Sequence, residues 1–231
     1  MHSKINKISI AFILVLAFTT TSIAAETIAV VLKVKGKVAI TRGTQASSIT
    51  LKRGSRLEDG DKLITDQNSY TAVRFIDDAS LLRIRANSTC TIKGKKEKNQ
   101  VIKNVYLEVG TILAKVTQQR GKFEISTPTS VASVKGTEWI TEQRYNSGTF
   151  YYGLEGVVEI TNDGGTALVH ADETGYVANN GTAPIVQPTR DGTVPIFDDD
   201  TGDGTDFFEF EFENDEGQKK LLEFKATRKE E

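Results

Sequence analysis

Hydrophobic and polar residues alternate with a period of two along most of the chain from residue 26 to about residue 186. Leu82 and Ile84, for example, fall on one side of the repeat, and Arg83 and Arg85 fall on the other. This alternation is typical of strands with one buried face and one solvent-facing face. No comparable helical period is present. The pattern therefore predicts an all-β fold, arranged as an elongated β-sandwich or a solenoid-like body.

The pattern changes in the last part of the chain. Residues 186–206 are rich in Pro, Gly, Asp and Thr, which predicts an acidic linker. Residues 207–228 alternate Phe with Glu and continue past a turn signal at Gly217, which predicts a C-terminal β-hairpin. An isolated hairpin is marginally stable in water, so we expect its Phe face to pack on another surface. The cross-strand pairs expected in it are Phe212 with Leu222, Phe210 with Phe224, and Glu209 with Lys225.

The N-terminal residues have the three-part plan of a secretory signal peptide. Lys4 and Lys7 precede an apolar run over residues 8–18, and small residues follow it. The run is shorter than the roughly 20 apolar residues that span a bilayer. We therefore expect residues 1–25 to be removed, and an uncleaved membrane anchor is the alternative. The mature protein would be exported, would have no membrane span after cleavage, and would have its all-β domain over residues 27–185.

The composition agrees with a soluble globular domain, because 38% of the 231 residues are hydrophobic and 26% are charged. Cys90 is the single cysteine, so an internal disulfide is impossible. We expect Cys90 to be buried as a small hydrophobe, with an intermolecular bridge as the alternative.

The net charge of −2 is unevenly distributed. Residues 191–216 contain eleven acidic residues and neither Lys nor Arg, whereas the preceding body is basic. Such a segment either lies on a basic surface or another cation, or stays solvated and keeps the protein soluble.

Candidate catalytic chemistry is sparse. Of the two histidines, His2 lies in the signal peptide and His170 has no nucleophile motif near it. Neither a tetrahedral zinc site nor a Ser-His-Asp triad is indicated, and no phosphate-binding loop is present. We therefore predict no catalytic residues and no cofactor apart from calcium, discussed next. A carboxylate pair for glycoside hydrolysis stays open, because Asp and Glu are numerous.

The acidic linker offers a possible calcium site. Alternating Asp and Gly residues could present several carboxylates and carbonyls to Ca²⁺, and the segment matches part of a calcium-binding nonapeptide. The candidate ligands are Asp198, Asp200, Asp203 and Asp206. The alternative is an ordinary solvated linker.

A lysine-rich turn offers a possible interaction site at Lys93, Lys95, Lys96 and Lys98. A solvated hairpin tip is one interpretation, and contact with an anionic envelope surface is the other. Nucleic acid is not an expected partner, because the basic charge is modest and the aromatic residues occupy core registers.

Six short sequence blocks occur in an order that resembles the FecR-type periplasmic domain. The resemblance covers about residues 28–180. It implies an all-β, non-catalytic sensing or protein-binding module outside the inner membrane. The matching positions are Gly36 and Val38; Leu57, Gly60, Asp61, Leu63 and Thr65; Phe75, Asp77 and Ser80; Leu107 and Gly110; Thr127, Pro128, Gly136 and Thr137; Gly156 and Val158.

The chain departs from the family pattern in two respects. Asp78-Ala79-Ser80 stand where the family has Asp-Gly-Ser. In FecR regulators, a cytoplasmic anti-sigma segment and a membrane helix precede the periplasmic domain and relay the signal. In this chain, a predicted signal peptide precedes the region that resembles that domain. Direct control of a sigma factor is therefore not carried over.

The motif residues also have a physical interpretation of their own. Gly60 and Asp61 are expected in a turn whose carboxylates hold backbone amides. Thr127 and Pro128 are expected in an extended segment at a sheet edge.

Lys135-Gly136-Thr137 precedes Trp139, the only tryptophan in the chain. We expect Gly136 to bend the backbone, the hydroxyl of Thr137 to bond a freed amide, and Trp139 to fill the core. This describes a structural corner, and a ligand site is the alternative.

Taken together, the sequence predicts an exported, non-enzymatic module in the periplasm, although secretion or a cell-surface location also fits. It would bind a protein or an envelope polymer through strand edges and exposed loops. The alternatives are an enzyme acting on envelope polysaccharide and a calcium-responsive adhesion or interaction module.

Overall fold

The structure is a computed structural model that describes residues 26–43, 48–98, 100–116, 121–134, 136–197, 205–213 and 219–227. These residues form nineteen strands and no helix, so the predicted all-β class is confirmed. The chain divides into two compact units whose boundary lies between Pro188 and Thr189. The signal-peptide residues lie outside the described residues, and the domain limits derived from the sequence stay predictions.

Seventeen of the strands belong to the first unit and two to the second. In chain order they are β1 (Thr27–Lys35), β2 (Val38–Thr41), β3 (Ser48–Thr50), β4 (Arg56–Glu58), β5 (Asp61–Thr65), β6 (Tyr70–Phe75), β7 (Leu81–Ile84), β8 (Ser88–Glu97), β9 (Gln100–Lys115), β10 (Phe123–Ser126), β11 (Val131–Val134), β12 (Glu138–Arg144), β13 (Gly148–Glu155), β14 (Val157–Asn162), β15 (Gly165–His170), β16 (Glu173–Val177), β17 (Ile185–Pro188), β18 (Thr205–Glu213) and β19 (Lys219–Thr227).

Strand pairing joins the seventeen strands of the first unit into one mixed sheet with two layers. Layer A has the order β4-β1-β6-β7-β9-β12-β13-β16-β17. Layer B has the order β3-β2-β5-β8-β9-β10-β11-β14-β15. Only β9 and β10 pair in parallel among these described strands, and β9 belongs to both layers.

Strand β9 passes from layer B to layer A at Gly110. Val109 still pairs with Thr89 in layer B, whereas Gly110 pairs with Gln143 in layer A. The φ angle of Gly110 is +110°, and a Cβ atom there would lie 2.5 Å from Cα of Ser88. Glycine is therefore required at this crossing, because any side chain would collide with the neighbouring strand.

The two layers pack face to face around one hydrophobic core. Phe75 of layer A contacts Phe123 of layer B edge to face, with ring centroids 5.7 Å apart. Phe123 contacts Trp139 of layer A in the same way at 5.8 Å. Cys90 is buried in this core, and its burial raises the pKa of the thiol to about 12, so it behaves as the small hydrophobe that the sequence predicts.

The second unit contains the antiparallel hairpin of β18 and β19, as predicted. The predicted register is wrong by two residues, because Phe210 pairs with Leu222 and Glu209 pairs with Glu223. The connection spans residues 214–218, so its centre lies one residue before Gly217, where the sequence had placed it.

Ala79 has a φ angle of 59° in the turn between β6 and β7, at the position where the FecR pattern has glycine. A residue with a Cβ atom pays about 1–2 kcal/mol for this left-handed conformation. We therefore expect Ala79→Gly to stabilise the protein by about 1 kcal/mol, since glycine's greater freedom when unfolded offsets part of the gain.

The measurement is the midpoint of reversible urea unfolding. The matched control is Ala39→Gly in the middle of β2, where the backbone is ordinary strand and the same change is expected to lower the midpoint. A lower midpoint for Ala79→Gly would show that the turn does not strain alanine.

Candidate functional site

The turn between β4 and β5 is built as the sequence predicts. Asp59 Oδ1 accepts the Gly94 amide at 2.9 Å, and Asp61 Oδ2 accepts the Glu58 amide at 2.9 Å. Gly60 has a φ angle of +84°. The carboxylates thus hold backbone groups and are not directed at a ligand.

Arg42 is a partner of this turn that the sequence did not indicate. Its Nε and Nη2 atoms donate to the two carboxylate oxygens of Asp61, both at 2.7 Å, and its Nη1 atom donates to Glu58 at 2.6 Å. Such a bidentate pair is geometrically specific. Asp61 is fully buried, so this ion pair anchors the turn in the fold.

The segment around Pro128 is a tight turn between β10 and β11, and the prediction of an extended edge is wrong. Thr127 N donates to Ser130 O at 2.8 Å. Pro128 is exposed, whereas Thr127, Thr129 and Ser130 are buried. The hydroxyls of Thr127 and Thr129 lie 2.9 and 2.5 Å from the hydroxyl of Thr149. The segment turns inward because its hydroxyl groups find partners inside the protein.

Gly136 and Thr137 form the crossing from β11 in layer B to β12 in layer A. Gly136 has a φ angle of +73°, and Thr137 is buried. The hydroxyl of Thr137 has no hydrogen-bond partner among the described residues, so the predicted bond to an amide is not formed. Trp139 is fully buried and donates from Nε1 to Thr141 Oγ1 at 3.0 Å. These side chains do not line an opening, and Lys135 lies outside the described residues.

The four candidate lysines lie near the end of the β8–β9 hairpin. Lys95 pairs with Glu97 at 2.8 Å, and Lys96 pairs with Glu26 at 2.5 Å. Lys98 has a φ angle of 58° at the tip, and Lys93 lies further along β8. Carboxylates therefore offset two of the four charges, and binding to an anionic surface stays a prediction.

The calcium hypothesis falls largely outside the described residues. This applies to Asp198, Asp200 and Asp203, and only the backbone of Asp206 in β18 is described. The described part of the chain holds no group of three or more His, Cys, Asp or Glu residues placed to bind a metal ion. The site stays a prediction.

A shallow polar depression lies at one end of the first unit, and it contains a single carboxylate, that of Asp66. It therefore lacks the facing carboxylate pair that glycoside hydrolysis uses. Its lining residues are Gly36, Lys37, Thr65, Asp66, Gln67, Asn68 and Asn87.

A buried ionic cluster is present that the sequence reading missed. Lys103 is fully buried, and its Nζ atom lies 2.7 Å from Asp77 Oδ2 and 2.8 Å from Asp78 Oδ2. The alternation of β9 could have revealed this cluster. Lys103 occupies a core position of the strand, between the buried residues Val101 and Val105. A lysine in that register indicates buried anionic partners.

The two layers end in four edge strands that differ in how well they are protected. β3 and β4 have only three residues each, and β4 carries Arg56 and Glu58. β17 ends in Pro188. β15 has six residues without proline, Lys, Arg, Asp or Glu, and its central Leu168 is 49% exposed. Because charge, proline and short length are the usual protections of an edge, β15 is the least protected of the four.

Comparison with known proteins gives one family match. Residues 61–159 match the family model described as FecR protein. Over these residues the chain is similar to the FecR family. The similarity supports a sensing or signalling module. No curated protein matches the sequence.

Two solved structures are similar to the chain, both described as a "putative anti-sigma factor" from Parabacteroides distasonis ATCC 8503. They are 15% and 14% identical to it, each with a TM-score of 0.47. Each match covers 55% of this chain and 59% of the solved chain. Within its described residues, this chain has no helix with the length and hydropathy needed to cross a membrane.

Proposed function

We propose that the FecR domain is an exported, non-enzymatic module that relays a signal by binding another protein along strand β15. Its place of action would be the periplasm, as the signal-peptide pattern of residues 1–25 supports. The observation that carries the proposal is the unprotected edge of β15, which pairs only with β14 among the described strands.

The hairpin register indicates which backbone groups of β15 face outward. Asn162 pairs with Gly165 across a two-residue connection, and hydrogen-bonded pairs alternate from there. The amides and carbonyls of Thr166, Leu168 and His170 then point away from β14. The His170 amide supports this orientation, because it donates to Glu173 Oε2 at 2.9 Å instead of to β14.

A partner strand added to this edge would use the outward backbone groups of Thr166 and Leu168 for its main-chain hydrogen bonds. Such bonds supply affinity that does not depend on sequence, and exposed side chains supply selectivity. Leu168 is the large apolar side chain at the centre of the strand, and Val157 on the neighbouring strand is 38% exposed. The partner is therefore expected to present an extended segment with an apolar residue facing Leu168.

Site-specific photo-crosslinking in cells tests the proposal. A photoreactive phenylalanine analogue replaces Leu168, and the matched control carries it at Ile64, which is 37% exposed on the inner strand β5 of the same layer. We expect one adduct of defined size at residue 168 and none at residue 64. No adduct at residue 168, or the same adduct at both positions, overturns the proposal. Circular dichroism verifies that both proteins are folded.

A further inference from the structure

The buried cluster of Lys103, Asp77 and Asp78 has the composition of a reactive site. The Nζ atom of Lys103 contacts both carboxylates and also donates to Val101 O at 3.1 Å. It lies 5.6 Å from the centre of the Phe75 ring. A nucleophilic amine is thus held against two carboxyl groups, beside the row of buried aromatic rings.

The charged groups of this cluster are closed off from solvent. One ammonium group faces two carboxylates, and the side chains of Lys103 and Asp78 are fully buried. The second oxygen of Asp77, Oδ1, is buried and has no hydrogen-bond partner among the described residues. Burying charges carries a large desolvation penalty, so a reaction that removes one positive and one negative charge from this cluster is favoured.

We propose that Lys103 and Asp78 condense without any other enzyme to form an isopeptide bond. A proton first passes from the Nζ atom to Asp78 Oδ2 across their 2.8 Å hydrogen bond, and Nζ then attacks Cγ of this carboxyl group and forms the new C–N bond. The Asp77 carboxylate takes a proton from the nitrogen and returns it to the departing hydroxyl group. The C–O bond breaks, one water leaves, and no oxidant or reductant is required.

The geometry assigns different roles to the two aspartates. Asp78 Oδ1 accepts the Ser80 amide at 2.9 Å, and this donor stabilises negative charge on the oxygen during the attack. Asp77 Oδ2 contacts Nζ directly, and its Oδ1 atom is unpartnered and able to carry a proton. Because the fold holds all three groups within hydrogen-bond distance, the reaction benefits from a high effective concentration.

The bond would link the two layers of the FecR domain. Lys103 belongs to β9, where it pairs with β8 and β10 of layer B, and Asp78 lies in the turn between β6 and β7 of layer A. The chain has a single cysteine and cannot form an internal disulfide. The isopeptide would supply the covalent cross-link that is otherwise lacking.

Intact-mass spectrometry of the purified full chain under denaturing conditions tests the proposal. The mature N-terminus is determined first, so that signal-peptide removal is not confused with condensation. We expect the wild-type mass to be lower than the sequence mass by one water, and digestion to yield a peptide pair joined at residues 78 and 103. A wild-type protein at the full sequence mass, with no joined pair, overturns the proposal.

Three variants separate the roles. Lys103→Arg removes the nucleophile and is expected to retain the full mass. Asp77→Asn removes the proton carrier and should also retain it. Asp78→Asn keeps an electrophile with a different leaving group and should lose one ammonia instead of one water. Loss of water from Asp77→Asn, or an unchanged mass for Asp78→Asn, would contradict the assignment.

Discussion

Replacing Lys103 with Met is expected to destabilise the protein by about 3–5 kcal/mol. The change removes the ammonium group that contacts both Asp77 Oδ2 and Asp78 Oδ2. Both carboxylates would lose a buried ammonium group at hydrogen-bond distance, which costs far more than the loss of an exposed pair. Methionine fills a similar volume, so the effect reports charge and not a cavity. Equilibrium unfolding in urea, followed by the fluorescence of Trp139, gives the change in unfolding free energy.

The matched control is Lys62→Met, which breaks an exposed ion pair with Glu108 of the same 2.7 Å length. Its cost is expected to stay below about 1 kcal/mol. A triple variant that combines Lys103→Met with Asp77→Asn and Asp78→Asn should recover most of the loss, because the three charges of the cluster are removed together. A change below about 1 kcal/mol for Lys103→Met alone would mean that water or relaxation compensates the two carboxylates.

The proposed isopeptide would add a second contribution to this loss, because a cross-link restricts the unfolded chain. The two effects separate in the Asp77→Asn background, where condensation is not expected. In that background Lys103→Met still removes the ammonium group that contacts Asp78 Oδ2. A large loss of stability there belongs to the charge alone.

The strands and the core of this protein could be predicted because they depend on local pattern. Alternation along β7 places Leu82 and Ile84 inside, and both are fully buried. The arrangement in two layers could not be read in the same way, because it depends on pairings between distant segments. Strand β9 shows the difficulty, since one continuous strand pairs with β8 in layer B and with β12 in layer A.

The errors at the candidate sites have a common physical cause. The sequence analysis placed Thr127 at an exposed edge and made no prediction for Lys103, whereas both residues are buried. Each is accommodated by partners that lie more than 20 residues away, Asp78 for the lysine and Thr149 for the threonine. A polar side chain becomes compatible with the interior only when such partners are present, and a single sequence does not display them.

Trp139→Ala is expected to destabilise the protein by about 3–5 kcal/mol. Trp139 is the largest fully buried side chain of the described residues, and its ring packs edge to face on Phe123. Truncation removes this packing between layers and leaves a cavity that the rigid strands on both sides cannot fill. It also leaves the Thr141 hydroxyl without the indole donor that it accepts at 3.0 Å. Because the variant lacks the only tryptophan, circular dichroism must follow its unfolding in urea.

Two further variants test whether the effect arises from packing at the layer crossing. Tyr145→Ala removes a side chain that is 81% exposed in the turn between β12 and β13, and its effect should stay within about 0.5 kcal/mol. Trp139→Phe keeps an aromatic ring but loses the bond to Thr141, so it should fall between the wild type and alanine. If Trp139→Ala were as mild as Tyr145→Ala, the tryptophan would not support the layer contact. The chain crossing at Gly136 would then have to be stabilised by contacts other than the burial of the Trp139 ring.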